Sequence, residues 1–144
     1  MGPGQAPAPR RGGYWPLWRK EPLIAGNGSL AFSASHAPGY AVLSVAGEID
    51  ADTEQQFRDA LTSVLAHGAP RIVVDLSRVG FMSSAGIGVL MGVRRVLADA
   101  GGALALACPH GEVSQVLSIA GVGEVIPVAA TVPDAVALLG DQRG

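Results

Sequence analysis

From Leu30 onward the hydrophobic positions switch repeatedly between the two-residue period of a strand and the three-to-four-residue period of a helix. Residues 30–35 and 41–45 alternate on either side of Ala37-Pro38-Gly39, which predicts a hairpin whose second strand ends at Gly47. Asp52 or Thr53 offers a cap for a helix running to about His67, with Phe57, Leu61, Val64 and Leu65 as its buried stripe and Gly68 and Pro70 as its stop. Residues 71–76 contain the unbroken Ile72-Val73-Val74, the mark of a strand covered on both faces. A second helix begins at Ser83-Ser84 and reaches about Asp99, where Gly101-Gly102 ends it. Val89, Leu90, Val93, Val96, Leu97 and Ala100 form its core-facing stripe, with Ile87 and Met91 toward the edge. Residues 104–107 read as a strand, 112–120 as a helix, 125–128 as a short strand and 133–139 as a last helix with Pro133 in its first turn. Strands separated by helices need crossovers, so the expected architecture is a small single-domain α/β fold, a mixed β-sheet packed against about four helices.

Residues 1–29 break this pattern. They hold five of the ten prolines, six of the twenty glycines and both tryptophans, a composition that disfavours regular elements and reads as a disordered basic tail ahead of a domain at 30–140. The cluster Tyr14, Trp15, Leu17, Trp18, Arg19, Lys20 leaves two roles open: docking on a partner or membrane surface, or covering the domain itself. Charge divides at the same boundary. The tail carries a net +3 and the remainder a net −5, within an overall −2, so the domain lacks the extended cationic surface that neutralises nucleic-acid phosphates.

With 144 residues, 49% hydrophobic and 15% charged, there is material for one aliphatic core and no room for a multidomain enzyme. Cys108 is the only cysteine, which excludes an intrachain disulfide and points to the cytoplasm. His36, His67 and His110 are too far apart in sequence for a local metal motif, and no cofactor motif occurs. The longest uncharged runs, residues 22–47 and 79–93, are interrupted by Gly, Ser or Pro, so neither a membrane span nor a signal peptide is expected.

The chemistry concentrates at the strand-to-helix turn Phe81-Met82-Ser83-Ser84-Ala85-Gly86-Ile87-Gly88. Free backbone N–H groups and the positive end of a helix dipole gather there, a place suited to an anion such as a phosphate on serine. One serine is accounted for as an N-cap; on spacing alone, capping is the simpler role for the pair and phosphorylation stays open. A nucleophile elbow needs glycine on both sides of the serine at a distance of two, but Met82 occupies the first position and only Gly86 the second. Only His110 falls on the right edge of the sheet to act as a base. A dinucleotide loop fails as well, because Met91 stands where the third glycine belongs and Gly92 comes one residue late.

These residues resemble a STAS domain, specifically the bacterial anti-sigma factor antagonist family, over roughly residues 30–140. The likeness rests on Gly47-Glu48-Ile49-Asp50, on Val74-Asp75-Leu76-Ser77 and above all on the serine turn. In that family aspartate, serine, a small residue and glycine follow one another, and the serine is phosphorylated by a partner kinase that is also the anti-sigma factor. Ser84, Ala85 and Gly86 fall on the last three positions; Ser83 stands in place of the aspartate and is the lesser acceptor candidate. The resemblance implies a partner switch without enzymatic activity. The unphosphorylated protein binds the anti-sigma factor through Glu48, Asp50, Ser83, Ser84, Gly86, Ile87 and Met91 and releases a sigma factor; phosphate on Ser84 weakens the complex, and a serine phosphatase restores it. The alternative is a STAS scaffold, or a subunit of a larger regulatory assembly, that is never phosphorylated. Neither version involves nucleic acid, membrane or metal, and the sequence leaves the oligomeric state open.

Overall fold

The computed structural model describes residues 21–22, 30–68 and 70–140. Six strands form one mixed sheet in sequential order: β1 (Glu21–Pro22), β2 (Ala31–Ala37), β3 (Tyr40–Ile49), β4 (Arg71–Met82), β5 (Ala103–Ala107) and β6 (Val128–Ala129). β1, β2 and β3 pair antiparallel, whereas β3, β4, β5 and β6 run parallel. The helices are α1 (Glu54–Ala66), α2 (Ser84–Asp99), α3 (Gly111–Ile119) and α4 (Val132–Gly140), with a 3₁₀ turn at Val122–Glu124. The expected α/β architecture is thus present. The tail expected over residues 1–29 lies mostly outside the described residues, but Glu21–Pro22 form an edge strand that its composition did not announce.

Burial alternates along β2 and β3, so one sheet face takes Phe32, Ala34, Leu43 and Val45 into the main core. α1, α2 and α3 close that core with Phe57, Leu61 and Val64, then Val89, Leu90 and Leu97, then Val113 and Leu117. Each of these large side chains contributes roughly 1.5–3 kcal/mol on burial. Among the described residues the opposite face is covered by α4 alone, whose Ala135 and Leu139 pack on Val73, Ala103, Ala105 and Ala107. Hence the unbroken Ile72-Val73-Val74 and the fully buried Ala103–Ala107: both strands sit where helices cover both faces. In β5 the alanines face α4 and let it approach, while Leu104 and Leu106 fill the larger core.

Several boundaries differ from expectation for physical reasons. β3 does not end at Gly47; that glycine adopts φ 123° at a register shift and the strand continues to Ile49. β4 likewise reaches Met82, because it pairs with this extension of β3. The last strand falls at Val128–Ala129 rather than 125–128, since the chain first closes the 3₁₀ turn. Val96, placed by periodicity in the buried stripe of α2, is 55% exposed. Cys108, just after β5, takes a left-handed φ of 61°; burial and then the Asp75 carboxylate push its thiol pKa up, so it is a poor nucleophile.

Candidate functional site

The parallel strands deliver their carboxyl ends to one edge of the sheet, and the serine turn stands there. Ser83 is extended (φ −94°, ψ 178°) and caps α2, its hydroxyl accepting from the Ala85 N–H at 3.2 Å. Its own N–H donates to the Ile49 carbonyl at 2.8 Å, which ties the start of α2 to the end of β3. The Ser83 carbonyl accepts from Gly86 and Ile87, opening the helical ladder. Ser83 is therefore consumed by structure. Ser84, the first residue of α2, is exposed, and its hydroxyl makes no hydrogen bond among the described residues.

Gly86 explains how the turn gets so close to the sheet. A Cβ there would stand 2.7 Å from both Ile49 Cγ2 and Met82 Cγ, side chains that are fully buried. Its part in the site is to let α2 sit on β3 and β4; it is buried and offers nothing to a partner. Ile87 is half-buried against the core, whereas Met91 is 36% exposed.

The neighbouring loop is equally well organised. The Asp50 carboxylate accepts from the Asp52 and Thr53 N–H groups at 3.0 and 3.1 Å. The Thr53 hydroxyl donates to the Glu48 carbonyl at 2.8 Å and accepts from the Asp50 N–H at 3.0 Å. Thr53 precedes α1 but makes no side-chain cap, because its hydroxyl is spent inside this loop. Glu48 is exposed and Asp50 half-buried, and the loop adjoins the serine turn through the Ile49 carbonyl.

The expected partner-binding set leaves out three exposed positions on this surface. Phe81, opposite Glu48 in the ladder, is 36% exposed. Gly88 and Gly92 lie on the outer face of α2 in line with Ser84 and Met91, and a Cβ at either would meet open space. The spacing of Ser84, Gly88, Met91 and Gly92 was the available signal.

No histidine is hydrogen-bonded to Ser84 among the described residues. His110 is hydrogen-bonded through Nε2 to the Ser77 carbonyl at 2.9 Å, and that nitrogen must donate. His36 and His67 face each other, ring centroids 5.1 Å apart, at the opposite end of the strands. Among the described residues no group of three His, Cys, Asp or Glu could hold a metal, and no helix is long and apolar enough to cross a membrane.

A mixed sheet with three helices on one face and a serine-capped helix at its carboxyl edge defines a STAS fold. The STAS domain family matches residues 31–135, and the chain belongs to that family. The relatives are more particular. The anti-sigma F factor antagonist of Paenibacillus polymyxa is 25% identical over 101 residues, covering 69% of this chain and 86% of the relative. The anti-sigma-F factor antagonist RsfB of Mycobacterium tuberculosis is 37% identical over 62 residues, 43% of this chain and 51% of the relative. The crystal structure of an anti-sigma factor antagonist from Mycobacterium paratuberculosis superposes with a TM-score of 0.72 at 26% identity, covering 82% of this chain and all of the other.

Proposed function

We propose that this chain is a cytoplasmic anti-sigma factor antagonist, a binding module without catalytic activity that is switched by phosphorylation of Ser84. Its partner is an anti-sigma factor with serine-kinase activity, docked on the Ser84 turn, the outer face of α2 and the Glu48–Asp50 loop. A serine phosphatase reverses the switch. One observation carries this reading: Ser83 does the capping, which leaves the Ser84 hydroxyl exposed at the head of α2. The names of the relatives support the partner class.

Phosphate on Ser84 adds about −1.5 to −2 charges next to free helix N–H groups, so α2 tolerates it. The same charge stands near Glu48 and Asp50 and under any partner packed on the turn, so it acts on the interface and leaves the fold intact. The test is incubation with the kinase and ATP followed by mass spectrometry, together with binding of Ser84→Asp and Ser84→Ala. Phosphate on Ser84, weak binding by Ser84→Asp and retained binding by Ser84→Ala are expected. Undiminished binding by Ser84→Asp would sink the switch.

A second reading is favoured by Ser83 itself, which lacks the charge of the aspartate usual in the family. In that version the chain is a scaffold or assembly subunit, and it copurifies with its partner whatever its phosphorylation state.

A further inference from the structure

β4 carries an extra residue where it passes β3. Ser44 stands opposite Asp75 and Ala46 opposite Arg78, so two steps along β3 span three along β4, a bulge at residues 76–77. Burial shows the same offset, because Leu76 and Val79, three apart, both enter the main core. In an unbroken strand Arg78 would take the inward side of Leu76; the bulge turns it to the other face, beside Asp75. The Ser77 N–H donates to Asp75 Oδ1 at 3.0 Å and the Ser77 carbonyl accepts from His110 Nε2 at 2.9 Å, which fixes the bulge from two sides.

On the face that α4 shares, this places Asp75 and Arg78 in the wall of a cleft of about 480 Å³, lined also by Ser33, Ser44 and Ala46. Its size falls within the range of roughly 300–1,000 Å³ usual for small-molecule sites. The Asp75 carboxylate accepts from the Ser44 hydroxyl at 3.2 Å, from the Ser77 N–H and from the Cys108 thiol. All three donors are neutral, and among the described residues neither Asp75 nor Arg78 has an ion-pair partner. The two residues stand opposite positions two apart on β3, which sets their Cα atoms about 7 Å from each other along the strand. Opposite charges at that spacing disfavour simple ions: an anion drawn to Arg78 meets the Asp75 carboxylate, and a cation drawn to Asp75 meets the guanidinium. A small molecule that carries both charges a few ångströms apart satisfies both walls.

We propose that this cleft binds a free α-amino acid, with its ammonium on Asp75, its carboxylate on the Arg78 guanidinium and its side chain over Ser33 and Ala46. The planar fork of Arg78 matches a carboxylate, and the Asp75 oxygens are already aligned by Ser44 and Ser77. The site lies on the α4 face of the sheet, whereas α2 packs on the other, so the inference does not depend on the Ser84 switch.

The probes are the free proteinogenic amino acids, screened singly at millimolar concentration against the full chain by saturation-transfer NMR. One of them, or a chemically related group, should bind. Titration calorimetry of the best binder against its N-acetyl and its carboxamide derivatives then removes each ligand charge in turn, and each derivative should bind about ten-fold more weakly or worse. N-acetylation tests the Asp75 contact on the ligand, because Asp75 itself holds the bulge. Arg78 is exposed, so Arg78→Gln should keep native far-UV circular dichroism, lose about ten-fold or more in affinity, and regain part of it as Arg78→Lys. Failure of every amino acid to bind overturns the proposal, as does equal binding of the two derivatives or undiminished binding by folded Arg78→Gln. Self-association that Arg78→Gln abolishes, with no amino acid bound, also overturns it, because the two charges then serve a second copy of the chain.

Discussion

Alanine placed at three glycines of one helix should give effects of opposite sign. At Gly88 and Gly92 the new Cβ enters open space on the outer face of α2, so the only consequence inside the chain is the better helix propensity of alanine. Each substitution should stabilise by about 0.5–1 kcal/mol. At Gly86 the same gain is set against a Cβ standing 2.7 Å from Ile49 Cγ2 and Met82 Cγ. Ile49 Cγ2 is a methyl on the β-carbon and moves only with its backbone or a change of rotamer, and both side chains are fully buried. Overpacking of this kind costs about 1–3 kcal/mol. The propensity gain cancels when Gly86→Ala is compared with Gly88→Ala, so the difference between them, about 1–3 kcal/mol, is the packing penalty alone. Urea unfolding followed by far-UV circular dichroism measures it, provided the m-values agree. Equal stability of the two variants would refute the close approach of α2 to β3. Destabilisation by Gly88→Ala or Gly92→Ala would show that these positions already have a neighbour within the chain. If α2 is the docking face, Gly88→Ala and Gly92→Ala should combine raised stability with weakened binding to the anti-sigma factor, a pairing that a purely internal role does not produce.

Two further outcomes follow from named groups. Burial and then the neighbouring His67 hold His36 below its ordinary pKa of 6.5, so below about pH 6.5 the unfolded chain takes a proton that the folded chain refuses. Stability from this group is complete above that pH and is lost as pH falls toward the folded value; His67→Gln should flatten the fall, read as urea midpoints between about pH 7 and pH 5. Ser83→Asp keeps a good N-cap and adds a charge favourable to the α2 dipole, so stability should hold or rise by about 0.3–1 kcal/mol. Partner affinity and the rate of Ser84 phosphorylation should change in that variant, measured by calorimetry and mass spectrometry, and a fall in stability would contradict the capping role of Ser83.

Period and punctuation placed all four helices and the central strands, because Phe57, Leu61 and Val64 or Ile72-Val73-Val74 declare their burial locally. What escaped depends on partners distant in sequence. Gly47 looks like a stop in sequence, yet in the ladder it absorbs a bulge that lets β3 run on beside β4 to Ile49. Thr53 has every attribute of a cap, but Glu48 and Asp50 claim its hydroxyl first. The serine pair was legible as the start of α2, whereas the division of labour between its members required the distance from Ser83 to the Ala85 N–H.

That division decides how a switch can work here. Ser83, Gly86 and Thr53 face inward and fix the turn against β3 and the loop; Ser84, Gly88, Met91 and Phe81 face outward and contribute little to holding the fold together. Under the proposed switch, a charge added to the outward set would change what can dock without much change in the stability of the domain. The reverse arrangement, with the acceptor hydroxyl spent as the cap, would make every phosphorylation a partial unfolding of α2. Ser83 in place of the family's aspartate keeps the cap of α2, and with it the fold, while removing a charge from the head of the helix.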